Sequence, residues 1–396
     1  MSTVLFTPPL TPRGGRSTPR RIGLVTTYPP TQCGIATFGS ALVHAFEATG
    51  HRVDVVCIDD GPNGASMGLP VIARLVNGVA DSIRRSVTAL DRCDVAIVQH
   101  EYGIYGGPDG EDVLALLDAI GVPTVVILHT VPLEPSARQR SILIDICQKA
   151  DRVVVMTQAG YTRLTELYPI DPSNVVVISH GAAAPTLRPA GQPVAASVPP
   201  ELLTWGLFGP GKGIEHVIDA LALLADRGLH PTYTLTGVTH PNVLARDGDA
   251  YRQSLIQRAQ DAGISEQMIF DATYYSVVEL TRLIASAKLV ILPYDSTEQV
   301  TSGVLVDAIA SGRPVIATAF PHAVELLSTG AGIVVPQADP TALADAIRIA
   351  LTDIDAYEKM AVEAAALAPT LLWSAVADEY LDLCDQLCVT SERIAG

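Results

Sequence analysis

The chain has 396 residues, 48% of them hydrophobic and 17% charged, with a formal net charge of −16. That length accommodates two domains of ordinary size, and that apolar content gives each a large core. A surface this acidic repels phosphate backbones, which argues against nucleic-acid binding as the main role, although backbone N–H groups can still meet a small anion locally.

The first 21 residues, "MSTVLFTPPLTPRGGRSTPRR", are rich in Pro, Gly, Thr and Arg and hold no continuous apolar stretch. They read as a disordered tail rather than a signal peptide. No apolar run in the chain approaches the ~20 residues of a membrane span. The six cysteines (33, 57, 93, 147, 384 and 388) form no Cys-x-x-Cys pair and lie in apolar contexts. Most of them read as buried free thiols in a reducing compartment, and the expected location is the cytoplasm. Cys384 and Cys388 stand one helical turn apart and suit a core face better than a metal.

After the tail, strands and helices alternate. "RIGLVTTY" is an apolar strand, then comes a Pro/Gly loop, the helix "IATFGSALVHAFEATG" and the strand "HRVDVVCID". "CDVAIVQHE", "PTVVILHT", "DRVVVMTQ" and "NVVVISHG" follow. Short β-branched strands spaced by helices mean parallel strands joined by crossovers, and strands this apolar are covered on both faces. A Pro/Ala-rich stretch then breaks the pattern, and the alternation restarts from "LLTWGLFG". The expected fold class is α/β, with two Rossmann-like doubly wound domains facing each other across a cleft. The expected boundaries are a tail over 1–21, an N-terminal domain over 22–185, a linker over 186–200, a C-terminal domain over 201–365 and a last helical segment over 366–396. Doubly wound sheets bind ligands at the carboxyl ends of their strands.

Several motifs sit at such ends. In "TTYPPTQCGIATF", Gly34 lies in the turn before the first helix, where N–H groups and the helix dipole can approach an anion. The GxGxxG of dinucleotide binding is absent. "VQHEYGIYGGPDG" puts His100, Glu101 and Tyr102 at another strand end, which reads as a polar loop lining the cleft; no third ligand with metal spacing accompanies them. His129, in "VVILHTV", can hydrogen-bond a substrate hydroxyl or a developing charge, and a structural strand-end histidine fits equally well.

In "GLFGPGKGIEHVIDALALL", Gly209, Gly211 and Gly213 surround Lys212 between a strand and a long helix. Glycines let the backbone bend close to a ligand, and a lysine at a helix start neutralises phosphate. The spacing is not that of a Walker A loop. In "VTSGVLVDAIASGRPVIAT", Thr301, Ser302 and Gly303 offer hydroxyls and unpaired N–H groups at a helix N-terminus. Asp307, about a turn and a half inside, can accept two hydroxyl hydrogen bonds, as from a ribose. Gln299, before the helix, can reach sugar hydroxyls. Lys212 and this turn belong to strand ends of one domain, which favours a phosphate site over a plain cap.

As an ordered set, "TYPPTQCGIATF", "VQHEYGIYGGPDG", "LHTV", "GPGKGIEHVIDAL", "GVTHPNV" and "PYDSTEQVTSGVLVDAIASGRPVIAT" resemble the retaining glycosyltransferases of the GT-B fold, group 1 (family 4) class, over residues 21–390. The resemblance implies transfer of a hexose from a nucleotide-diphosphate sugar (UDP-, GDP- or ADP-) to a hydroxyl acceptor, with retention at the anomeric carbon. It implies no metal and no other cofactor, because lysine, arginine and helix dipoles stabilise the leaving diphosphate. Carried over, Lys212 contacts the donor phosphates together with Gly211; Thr301, Ser302 and Gly303 contact the pyrophosphate. Gly34 lies near the phosphates or the acceptor, His129 near the donor sugar, and the last helix crosses back onto the N-terminal domain. Two departures stand out. The family's paired glutamates, eight positions apart, are Gln299 and Asp307 here, and the basic residue that often precedes the lysine is missing. A glycoside phosphorylase or sugar-nucleotide epimerase on the same fold, or a non-catalytic nucleotide-sugar binding protein, are the competing readings. No nucleic-acid partner and no integral membrane segment are expected.

Overall fold

The computed structural model describes residues 18–59, 67–185 and 201–395; for Asn242 and residues 391–395 only the backbone is described. The linker expected at 186–200, and all of the expected tail but its last four residues, lie outside the described residues.

Thirteen strands form two sheets among the described residues. The first sheet has seven strands in the order β3-β2-β1-β4-β5-β6-β7. These are β1 (Arg21–Thr26), β2 (Arg52–Asp59), β3 (Val71–Val76), β4 (Val95–His100), β5 (Thr124–Leu128), β6 (Arg152–Val155) and β7 (Val175–Val177). The second has six, in the order β10-β9-β8-β11-β12-β13. These are β8 (Leu202–Phe208), β9 (Tyr233–Thr239), β10 (Met268–Asp271), β11 (Leu289–Leu292), β12 (Val315–Thr318) and β13 (Gly332–Val335). Every pairing whose register is described is parallel: Leu24, for example, pairs with Val55 on one side and Ile97 on the other. The two doubly wound α/β folds read from the strand pattern are therefore present. The strand order reverses beside β1 in one sheet and beside β8 in the other, which are the switch points where such sheets bind ligands.

The second sheet shows why its strands are apolar throughout. Successive residues point to opposite faces. Leu202, Leu289 and Ile291 join a core with the helices Ile214–Asp226 and Pro340–Thr352. Their neighbours Leu203, Val290 and Leu292 join a second core with the helices Val277–Ser286 and Gly303–Ala310. Both faces are covered, so alternation disappears from the sequence. Each fully buried aliphatic side chain contributes about 1.5–3 kcal/mol.

By contacts, the chain folds as two compact units. One takes the described residues up to Ile127, then Ser141–Val154 and Val376 onward; the other takes Leu128–Arg140 and Val155–Ala375. In the first unit β1 begins at Arg21, and the preceding Arg20 pairs with Asp385 of the C-terminal helix at 3.0 Å. Cys384 and Cys388 are buried on that helix, as their spacing suggested. No helix among the described residues is long and apolar enough to cross a membrane.

Candidate functional site

In the second unit, β8 runs into the loop 209–213. A turn closes from the Lys212 N–H to the Gly209 carbonyl, and the Gly211 carbonyl accepts the Asp295 N–H at 3.1 Å. Gly213 has φ +64°, and a Cβ there would stand 1.8 Å from the Pro293 carbonyl oxygen. Only glycine fits, so the loop lies flat against the end of β11 and delivers Lys212 at the start of the helix Ile214–Asp226. The Lys212 ammonium sits 4.5 Å from the centre of the Tyr294 ring. Burial lowers its pKa from the usual lysine range. A cation held against an aromatic face with few polar partners gains from an arriving anion.

The second arm is the helix Gly303–Ala310. Ser302 is its cap: its Oγ accepts the Leu305 N–H at 3.3 Å, and its own N–H donates to His322 Nδ1 at 2.8 Å. Ser302 is 2% exposed. Its amide is thus engaged by His322, while its hydroxyl oxygen accepts one helix N–H. The N–H groups of Gly303 and Val304 have no intrahelical partner at this end. Val304 and Lys212 line one cavity together with Gly206, Phe208, Ile214 and Tyr294. The glycine loop and the helix N-terminus expected to cooperate are therefore brought to one concave surface.

Asp307 lies one turn along that helix from Gly303, on the same face. It is half-buried, and burial pushes its carboxyl up to about 7. Gln299 and Thr301 are half-buried in the segment before the helix. Gly211 is exposed on its loop, and His129 is half-buried just past β5. The strand-end placement read for His129 holds.

Three residues escaped the sequence reading. Tyr294, two residues past β11, supplies the ring beneath Lys212. His322 accepts the Ser302 amide, which requires an unprotonated Nδ1; burial, with His180 adding, pushes its pKa down to about 3. His180 fills the space beside Gly303, where a Cβ would lie 2.9 Å from its Cε1 and Nε2, and its Nδ1 bonds the Gly181 carbonyl at 2.7 Å. The signals were weak: a tyrosine after "VILP", and histidines in "ISHG" and "AFPH". Each is ordinary until the fold brings it to the Gly303 helix or the Lys212 loop.

One cluster among the described residues could hold a cation: Glu215, His216 and Asp295 offer ligand atoms within 4.8 Å of one another. They already satisfy one another in part. His216 pairs with Asp295 at 3.3 Å, and Glu215 accepts the Tyr251 hydroxyl at 3.1 Å. They also lie at the positive end of a helix, which disfavours a cation.

In the first unit the expectations fare differently. Gly34 is exposed and opens the helix Gly34–Ala48, and nothing occupies the space its Cβ would take. The thiol of Cys33 caps that helix, accepting the Ala36 N–H at 3.4 Å. The polar cleft loop expected at His100, Glu101 and Tyr102 is instead a packed aromatic cluster. His100 is wholly buried, stacked on Tyr105 and edge-on to Tyr102. Neither of its ring nitrogens has a hydrogen-bond partner among the described residues, and burial pushes its pKa down to about 3. Tyr102 is buried, and Glu101 accepts the Tyr102 N–H. The reason is the strand itself: β4 is buried along its whole length, so its last side chain turns into the core.

Residues 33–183 match the family described as Glycosyltransferase Family 4, and residues 199–353 match Glycosyl transferases group 1. The chain is 28% identical to the D-inositol 3-phosphate glycosyltransferase of Nocardioides sp. over 67% of this chain and 62% of the relative. It is 29% identical to a GDP-mannose:glycolipid 4-beta-D-mannosyltransferase of Xanthomonas campestris pv. campestris, over 52% of each. It thus matches about half to six-tenths of the length of these relatives. Among solved structures, Anabaena Alr3699/HepE in complex with UDP and glucose superposes with a TM-score of 0.71 at 18% identity, over 93% of this chain and all of the other. Sucrose-phosphate synthase of Thermosynechococcus elongatus gives 0.71 at 19%, over 94% and 100%. The chain therefore has the GT-B fold, with one stretch similar to Glycosyltransferase Family 4 and a second similar to Glycosyl transferases group 1.

Proposed function

We propose that this protein transfers a hexose from a nucleoside-diphosphate sugar to a hydroxyl acceptor, with retention of anomeric configuration. The observation that carries the reading is the single cavity lined by Lys212 and Val304, where a half-buried cation and a helix N-terminus converge. Both features select a multiply charged anion. The GDP-mannose in the name of one curated relative and the UDP in the Alr3699/HepE complex support the same class of donor.

In this reading, Lys212 neutralises the diphosphate as the glycosidic bond to it lengthens. The N–H groups of Gly303 and Val304 hydrogen-bond its oxygens. Both groups are aimed before the reaction starts, so charge developing on the leaving group meets donors that need not reorganise. Asp307 accepts the ribose hydroxyls and Gln299 reaches the sugar hydroxyls, while His129 stands at the sugar. No side chain of this set acts as a nucleophile. The leaving phosphate helps to deprotonate the acceptor on the same face of the ring, and the protein's task is positioning. The buried thiols suit a cytoplasmic enzyme.

The test is a panel of UDP-, GDP- and ADP-sugars with the purified protein, read by thermal stabilisation and release of nucleoside diphosphate. One base family should stabilise the protein and be released slowly, and proton NMR of the product should show the donor's anomeric configuration kept. Stabilisation without release in any acceptor mixture would point to a binding protein, and a response to inorganic phosphate alone to a phosphorylase.

A further inference from the structure

The residues placed at the donor sugar, His129 and Gln299, come from segments 170 positions apart in the chain, and neither belongs to a helix or strand. Something must hold them in register. Arg163, on the helix Gln158–Leu167, sits between them with a side chain only 9% exposed. One Nη donates to the Val131 carbonyl at 3.1 Å and to the Glu298 carbonyl at 2.9 Å. The other donates to the Thr297 carbonyl at 3.1 Å. The Glu298 carboxylate completes the knot, 3.4 Å from the guanidinium and accepting the Leu133 N–H at 2.7 Å. Val131 lies two residues after His129, and Glu298 directly precedes Gln299. Thr157, which caps the Arg163 helix, donates its hydroxyl to the Val300 carbonyl at 2.8 Å on the other side of Gln299.

We propose that Arg163 is a positioning residue for glycosyl transfer, a fork that fixes the His129 and Gln299 segments against each other while touching neither substrate nor the phosphate-binding cavity. The inference rests on the transferase reading above. Three backbone carbonyls and a carboxylate converge on one guanidinium, a pattern that a planar five-donor fork satisfies and a lysine ammonium cannot. A merely packed arginine would not need both of its terminal nitrogens bonded to two separate segments. Since Lys212, Gly303 and Val304 lie outside this network, nucleotide affinity and sugar positioning should separate.

The variants are Arg163→Lys, Arg163→Ala and Glu298→Gln. Nucleoside diphosphate affinity is measured by calorimetry, and kcat with the donor found in the panel. Arg163→Lys should lose about 10- to 100-fold in kcat, with nucleoside diphosphate Kd within about twofold of wild type. Free guanidinium should restore part of the Arg163→Ala rate, and Glu298→Gln should fall between wild type and Arg163→Lys. Full kcat in Arg163→Lys, or parallel loss of kcat and nucleotide binding, would overturn the assignment. Hydrogen exchange over residues 129–136 adds a readout independent of turnover, because Arg163→Ala should release the Leu133 amide. If that release is seen while the wild-type chain turns over no donor, the transferase reading has failed. Arg163 is then a structural brace rather than a positioning residue.

Discussion

The loop around Lys212 and the strand end at His100 make an instructive pair. Both follow a buried parallel strand, both are rich in glycine, and both carry polar groups that a sequence reader places at a ligand. They end differently. At Lys212 the glycines press the backbone onto the neighbouring strand end, and the side chain stays half-buried over an aromatic ring. At His100 two tyrosines close over the imidazole, whose nitrogens meet no donor or acceptor among the described residues. The difference is whether the loop leaves a charged group in contact with a cavity. A glycine-rich turn at a strand end is therefore only half of a site; the other half is what the last side chain of the strand faces.

The sharpest way to break the comparison is Gly213→Ala. A Cβ at 1.8 Å from a carbonyl oxygen, at φ +64°, should cost about 4 kcal/mol or more, seen as a lower urea midpoint. An unaltered midpoint would mean that the loop does not lie where it is described. Next is Lys212→Ala, expected to lower transfer about 100- to 1000-fold. Near-normal turnover would remove Lys212 from the phosphate site.

Asp307→Asn follows, with an expected loss of about tenfold in donor affinity. Its pH behaviour has a definite sign. The folded carboxyl titrates near 7 against an ordinary 3.8, so between those values the folded state keeps a proton that the unfolded chain has lost. Wild-type stability therefore falls as pH rises from about 4 to 7, while Asp307→Asn escapes the fall. The difference in melting temperature in favour of the variant should widen over that range and then level off. A constant difference would show that Asp307 is not desolvated. Under the proposed role of Asp307, donor affinity of the wild type should rise over the same interval, as its carboxylate forms. The smallest effect is expected for His100→Leu, within about 1 kcal/mol of wild type, because an apolar group replaces a buried imidazole that makes no hydrogen bond. A loss of several kcal/mol would mean that the ring nitrogens have partners in solution.

The two parallel sheets were legible because their strands are short, β-branched and punctuated by helices, signals that depend on neighbours a few residues apart. The helix starts after Lys212 and at Gly303 were legible for the same reason: each is a local strand-to-helix turn. The limits are also physical. His180 and His322 reach the Gly303 helix from segments 123 and 19 positions away, and no local pattern records that. His100 misled because β4 is buried to its last residue, and burial of a strand end depends on what packs over it. The partner of the Ser302 amide was equally illegible, because His322 stands 20 positions further along the chain.

The chain contains two tryptophans, and both fall at the places discussed. Trp205 lines the cavity shared by Lys212 and Val304. The ring of Trp373 lies 5.8 Å from that of His180, the residue that abuts Gly303. Both belong to the second unit. The native emission of this protein is thus a built-in optical gauge of one region: a nucleotide entering the cavity should shift or quench it without any label. A Trp205→Phe chain would assign what remains to the neighbourhood of the Gly303 helix.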